Sequence, residues 1–193
     1  MRDPILYRLL RPILVLVALI CLPKIINKKN IPKKGRVILA GNHTNARDGF
    51  LLGTTTKRCV RFVAKDKLTK GKFGFFFKAM GAIPVNREIK DNTVIPAVVN
   101  LLNHDRLVGI FPEGTINRTD DIIIPFKKGV IHMSLESGAP IIPFAIIGKY
   151  KLFRRSVRIT FGEAYHPKTD KIEKEIKVLE AKVIELLNVG GNV

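Results

Sequence analysis

Short apolar runs rich in β-branched residues recur along the chain at Arg36–Ala40, Val60–Ala64, Leu107–Phe111, Ile141–Ile147 and Val157–Phe161. Apolar runs of this length between polar stretches predict buried strands. Between them, the spacing of apolar positions predicts helices near Asp48–Thr56, Phe73–Met80, Val94–Leu102 and Lys128–Ser137. A last segment, Lys171–Asn188, places Ile172, Ile176, Leu179, Val183 and Leu187 on one helical face, with Asp170 and Glu173 at its start and Gly190 as its stop. Strand–helix alternation predicts a single α/β domain with a largely parallel central sheet flanked by helices. In such folds ligands gather beyond the carboxyl ends of the strands.

Ahead of the first strand, Ile13–Leu22 is an unbroken apolar run behind Arg8, Arg11 and Pro12, with Lys24 beyond it. As a helix these residues reach about 15 Å, half of a hydrocarbon core of about 30 Å, too little to span it. The following Cys-Leu-Pro-Lys-Ile-Ile-Asn offers no small-residue cleavage site, which argues against a secretory signal. A helix in the membrane interface or a buried core helix remains. The cluster Lys24, Lys28, Lys29, Lys33 and Lys34 favours the interface, because basic residues near an anionic leaflet contribute about 1 kcal/mol each. An apolar stripe with a polybasic patch supplies the two signals that reversible anchoring needs. The expected organisation is a membrane-associating helix over residues 1–27 followed by an α/β domain over 28–193. That describes a monotopic protein on the cytoplasmic face of the cell membrane.

Charge sharpens this reading. The 193 residues hold 34 Lys+Arg against 16 Asp+Glu, for a net charge of +18. Residues 1–90 hold 20 of the basic residues and four of the acidic ones, so the field is lopsided. Such a field expects an anionic partner: nucleic acid, an acidic membrane or a phosphorylated substrate. Two cysteines, Cys21 and Cys59, make no disulfide framework, and no Cys/His spacing resembles a zinc site. Lys65–Lys78 interleaves five lysines with Phe73, Phe75, Phe76 and Phe77. Basic-aromatic mixtures can stack single-stranded nucleic acid, so a nucleic-acid-binding module is the rival from a different class. The apolar leader instead favours a membrane partner, with these phenylalanines on a lipid-facing or core helix and no nucleic acid bound.

The polar exceptions fall at strand ends. His43 follows the first strand and Asp48 comes five residues later, a candidate base and the group that orients it. Residues five apart on a helix point about 140° away from each other, so the two meet only if His43 sits in the turn ahead of the helix. Capping and ordinary hydrogen bonding are the alternative roles. Ser134, Ser137 and Ser156 lie in no G-x-S-x-G elbow, and Cys59 sits at the start of a strand. With no evident nucleophile in the chain, the group to be activated is a hydroxyl of the substrate, which implies direct transfer. Phe111-Pro112-Glu113-Gly114-Thr115 leaves a strand as a tight turn with exposed N–H groups and an acceptor for a hydroxyl, or as an ordinary turn. Gly81–Arg87 ends in an arginine suited to phosphate, and Pro140 and Pro143 bracket a strand start.

Taken together, Asn42-His43 with Asp48, Gly81 with Arg87, Phe111–Thr115 and Pro140–Pro143 resemble the 1-acyl-sn-glycerol-3-phosphate acyltransferases over roughly residues 30–165. The resemblance implies transfer of a fatty acyl group from acyl-CoA or acyl carrier protein to the sn-2 hydroxyl of lysophosphatidic acid, giving phosphatidic acid. Related acceptors are glycerol 3-phosphate and other lysolipids. It also implies that His43 is the general base and that Asp48 holds it in register. Arg87 would bind the acceptor phosphate, with Lys65 as a second candidate, and Glu113, Gly114 and Thr115 would bind or position the glycerol. No metal or prosthetic group is implied; the acyl thioester is a co-substrate. One departure stands out: the family commonly has arginine where this chain has Ile116, and Arg118, two positions on, is the candidate replacement.

Overall fold

The computed structural model describes residues 5–65, 70–71, 74–75, 81–85, 93–168 and 171–189. In chain order these form helix α1 (Ile5–Leu19), strand β1 (Lys24–Ile26), a 3-10 turn (Lys28–Asn30), β2 (Val37–Gly41), α2 (Asp48–Thr54), β3 (Val60–Lys65), β4 (Ile83–Val85), α3 (Val94–Asn103), β5 (Leu107–Ile110), α4 (Gly129–Ser137), β6 (Ile141–Gly148), β7 (Val157–Phe161) and α5 (Ile172–Asn188). Most of the expected Phe73–Met80 helix, and both Asp170 and Gly190, lie outside the described residues.

The described strands make one seven-stranded sheet in the order β1-β7-β6-β2-β5-β3-β4. Neighbours from β6 to β4 run parallel, whereas β7 is antiparallel to β6 and carries β1 parallel beside it. The α/β sandwich with a mostly parallel sheet is therefore as expected, with a mixed edge. Residues Lys24–Ile26, assigned from sequence to the N-terminal segment, form that edge, paired with Arg158–Thr160.

Side chains alternate across the central strands, so each strand serves two cores. Ile38 and Ala40 of β2 join Val98 and Leu102 of α3, Val130 and Ile131 of α4, and Ile176, Leu179 and Val183 of α5 on one face. Val37 and Leu39 join Leu51 and Leu52 of α2 with Phe144 and Phe161 on the other. Both faces are covered, which is why the strands read as continuous apolar runs.

The parallel run decides where chemistry can gather. β2, β3, β4, β5 and β6 share one direction, so their C-terminal ends share one edge. His43 follows the end of β2, Glu113 follows β5, and Lys65 ends β3. From β2 the chain goes to β3 on one side, while from β5 it goes to β6 on the other. The two connections leave on opposite faces, with α2 on one and α4 on the other, and such a reversal between neighbouring parallel strands opens a crevice at that edge.

α1 packs against α2. It is tied down by the Tyr7 hydroxyl donating to the Arg58 carbonyl at 3.0 Å and by the Arg11 guanidinium donating to the Thr56 carbonyl at 2.9 Å. Leu9, Ile13 and Leu16 stay exposed along its outer side, as does Ile20 just past its end. No described helix is long and apolar enough to cross a membrane.

Candidate active site

The site begins with Asn42. Its side chain donates to the Ile146 carbonyl at 2.9 Å and accepts from the Ile146 N–H at 2.7 Å. In effect the amide extends the β2–β6 ladder by one rung after Gly41 pairs with Phe144. The next residue, His43, is thereby set at the strand exit.

His43 and Asp48 do meet, because His43 lies in the turn ahead of α2. Nδ1 of His43 is 3.0 Å from Oδ2 of Asp48. That carboxylate is 0% exposed, and its partners are numerous. The N–H groups of Thr44 and Asn45 donate to Oδ2 at 2.6 and 2.8 Å, and the Tyr150 hydroxyl donates to Oδ1 at 2.6 Å. Buried carboxylate oxygens need such a set of donors, because an unpaired buried polar atom is costly. A carboxylate at Nδ1 favours the tautomer with its proton there, which leaves Nε2 as the ring's acceptor.

The backbone of His43 is clamped as well. Its N–H donates to Oε1 of Glu113 at 2.7 Å, and its carbonyl accepts from the Asn117 N–H at 2.7 Å. Its ring stacks on Phe111, with centroids 4.1 Å apart and planes at 19°. The Phe111–Asn117 turn thus fixes the histidine from both sides.

Glu113 is 3% exposed. Its two oxygens accept from backbone N–H groups of His43 and, at 3.0 Å, Ile124. Burial pushes its carboxyl above the ordinary glutamate range, partly offset by those two hydrogen bonds. Gly114 adopts φ +73°, and the Lys127 side chain lies where a Cβ would project. Thr115 and Arg118 are exposed on the same loop. Lys65 ends β3 opposite Val85 of β4, and Arg87 lies outside the described residues. The histidine, the aspartate and the Glu113 turn are therefore brought together, and the strand carrying Lys65 exits on the same edge.

Sequence reasoning missed Tyr150. It sits between β6 and β7, 102 positions from Asp48, and no pattern marks it. Burial, reinforced by the Asp48 charge and hydrogen bond, pushes its phenol far above the ordinary range, so it remains an O–H donor. Tyr150→Phe removes that donor and leaves Oδ1 buried without it. We expect kcat to fall about tenfold with both KM values unchanged, since a hydrogen bond to a charged group contributes about 1.5–3 kcal/mol. Steady-state kinetics check this; a changed KM alone would place the tyrosine elsewhere.

A second cleft, of about 340 Å³, opens at the opposite edge of the sheet among Lys33, Lys34, Arg58, Asp105 and Arg106. Arg58 there donates to the carbonyls of Pro32, Gly35 and Asp105, holding three loops together. That cleft is remote from His43. No described group of His, Cys, Asp and Glu residues could hold a metal ion.

Comparison with known proteins settles the kinship. A family model described as Acyltransferase matches residues 23–147. The chain belongs to the acyltransferase family. It is 29% identical to the 1-acyl-sn-glycerol-3-phosphate acyltransferase of Bacillus subtilis over 178 residues, covering 86% of this chain and 88% of that one. It is 34% identical to the enzyme of the same name from Borreliella burgdorferi over 137 residues, covering 69% of this chain and 54% of that one. The chain therefore spans about half of the Borreliella relative and nearly all of the Bacillus one. Its fold resembles the crystal structure of the 1-acyl-sn-glycerophosphate (LPA) acyltransferase PlsC from Thermotoga maritima, with a TM-score of 0.75 at 20% identity, covering 100% of this chain and 86% of that one. As a member of the family, the chain is an acyltransferase whose matched segment carries His43, Asp48 and the Glu113 turn.

Proposed function

We propose that this acyltransferase works at a membrane surface and converts 1-acyl-glycerol 3-phosphate to phosphatidic acid by direct transfer from an acyl thioester. The observation that carries the mechanism is the buried Asp48 carboxylate 3.0 Å from Nδ1 of His43. Asp48 keeps the Nδ1 proton and stabilises the imidazolium as it forms. Nε2 takes the proton of the sn-2 hydroxyl, and the alkoxide oxygen attacks the thioester carbonyl. The new C–O bond forms as the C–S bond breaks, and the imidazolium returns its proton to the departing thiolate. General base assistance accounts for a factor of about 10²–10⁴, and holding both substrates in line supplies much of the rest.

Arg87, Lys65 and Arg118 hold the acceptor phosphate in this reading. Gly114 and Thr115 meet the glycerol, and Glu113 positions that turn while it clamps His43. Arg87→Ala raises the acceptor KM about tenfold or more with kcat little changed, as expected for the loss of a charge-assisted phosphate contact. Titrating the acceptor at saturating donor checks it.

The N-terminal segment ahead of β1 associates with the membrane through the outer side of α1, supported by the exposed Leu9, Ile13 and Leu16 and by Ile20 just past the helix end. The basic charge matches the anionic cytoplasmic leaflet. The rival nucleic-acid module gains no support from a buried histidine–carboxylate pair. The deciding experiment incubates the protein with lysophosphatidic acid, glycerol 3-phosphate and other lysolipids, each with acyl-CoA and with acyl carrier protein thioester, and identifies the product by mass spectrometry. Phosphatidic acid from lysophosphatidic acid is expected; a product from another acceptor alone would redirect the assignment.

A further inference from the structure

The turn between β6 and β7 has an unusual surface. Leu152 and Phe153 are 64% and 74% exposed, and Lys151, Arg154 and Arg155 beside them are exposed too. Among the described residues no carboxylate pairs with these three cations. Hydrogen bonds tie the turn together at its base. Its neck is closed by the Lys149 N–H donating to the Ser156 carbonyl at 2.9 Å, and the Ser156 hydroxyl donates to the Lys149 carbonyl at 2.6 Å and accepts from the Lys151 N–H at 3.2 Å. Gly148 closes the neck at φ +99°, where a Cβ would meet the Ser156 carbonyl at 2.0 Å. The structure therefore holds an apolar tip in water by design of the backbone.

Phe153 itself adopts φ +55°. A bulky L-residue at positive φ is a true outlier, because Cβ crowds the carbonyl, and such strain persists where the surroundings impose it, often at functional sites. Here the Phe153 N–H donates to the Ile20 carbonyl at 2.7 Å, which fastens the tip to the end of α1. Leu22, just beyond, is exposed and sits at φ +43°. The turn thus lies against the end of the helix whose outer side carries Leu9, Ile13 and Leu16.

We propose that the Lys151–Arg155 turn is a second membrane-inserting element, in which Leu152 and Phe153 enter the interface of an anionic bilayer beside α1 while Lys151, Arg154 and Arg155 meet lipid phosphates. This rests on the membrane reading of α1 given above. Charge complementarity selects the occupant: three cations with no acidic partner among the described residues, around an apolar tip, match the headgroup layer over hydrocarbon. The same turn carries Tyr150, whose hydroxyl holds Asp48, so the lipid surface lies next to the catalytic carboxylate. An acceptor lipid would then reach His43 from the leaflet without leaving it.

The chain contains no tryptophan, so Phe153→Trp and, separately, Leu9→Trp each introduce a single reporter. With vesicles of phosphatidylcholine and phosphatidylglycerol, the indole at position 153 is expected to shift its emission to the blue and to be quenched by brominated acyl chains. In addition, Leu152→Ser with Phe153→Ser is expected to weaken vesicle affinity at least about tenfold. If the protein sediments with vesicles and Leu9→Trp is quenched while the indole at 153 still reports water, the turn proposal falls and the α1 anchor stands. If nothing sediments and neither indole responds, the anchor itself falls and takes this proposal with it. An emission shift that tracks protein concentration without lipid would assign the tip to a second copy of the chain and overturn the bilayer.

Discussion

Replacing His43 by alanine is expected to lower kcat about 10³-fold, within the range for loss of a general base, while leaving the substrate KM values close to those of the wild type. The argument is geometric. The only polar commitment of the ring among the described residues is Nδ1 to Asp48, and its plane is set by stacking on Phe111. Truncation leaves the Phe111–Asn117 clamp intact, because that clamp grips the backbone of residue 43 through Glu113 and Asn117. The substrates still bind side by side, so proximity alone retains residual turnover. Loss of the stacked ring costs stability by about 1–2 kcal/mol, an ordinary value for one partly buried side chain. Initial rates at saturating donor and acceptor, beside thermal melting, check both parts; wild-type kcat in the variant would remove His43 from the proton transfer.

Asp48 offers the second large effect, and two substitutions separate its roles. In Asp48→Ala, the N–H groups of Thr44 and Asn45, Nδ1–H of His43 and the Tyr150 hydroxyl all lose their acceptor. Each unpaired buried donor costs about 1–3 kcal/mol, and partial relaxation brings the expected destabilisation to about 3–5 kcal/mol. Asp48→Asn should fold nearly as well. Its carbonyl oxygen can take the place of Oδ2 for the three N–H donors, and its NH₂ can donate to the Tyr150 hydroxyl oxygen, which also accepts. What it loses is the negative charge that stabilises the imidazolium, so kcat is expected to fall about 10²–10⁴-fold at near-normal stability. Urea unfolding and kinetics on both variants check this division; an Asp48→Asn enzyme of full activity would show that the charge is dispensable.

Much of this was legible because the signals were local. Two-sided burial made β2, β3, β5, β6 and β7 read as apolar runs, and the five-residue spacing of His43 and Asp48 meant contact only across a turn, which is how they meet. The short strands β1 and β4 carried no pattern, since three residues cannot display a period. Arg11 illustrates another limit. It flanks an apolar run, and nothing in the sequence shows that its guanidinium holds the Thr56 carbonyl. Glu113 read as a group that binds or positions the glycerol, and nothing in the sequence showed that its oxygens accept from the N–H groups of His43 and Ile124. Tyr150 was invisible, because its partnership exists only once β6 lies beside β2.

The role of His43 as base depends on which of its nitrogens carries the proton. Nitrogen-15 spectra of imidazole-labelled protein, assigned by the loss of a signal in His43→Ala and taken where the ring is neutral, report it directly. A protonated Nδ1 that shifts in Asp48→Ala, with a bare Nε2 that moves when acceptor binds, is the expected result. A proton resident on Nε2, unaffected by removal of Asp48, would contradict the assignment of this histidine as the base.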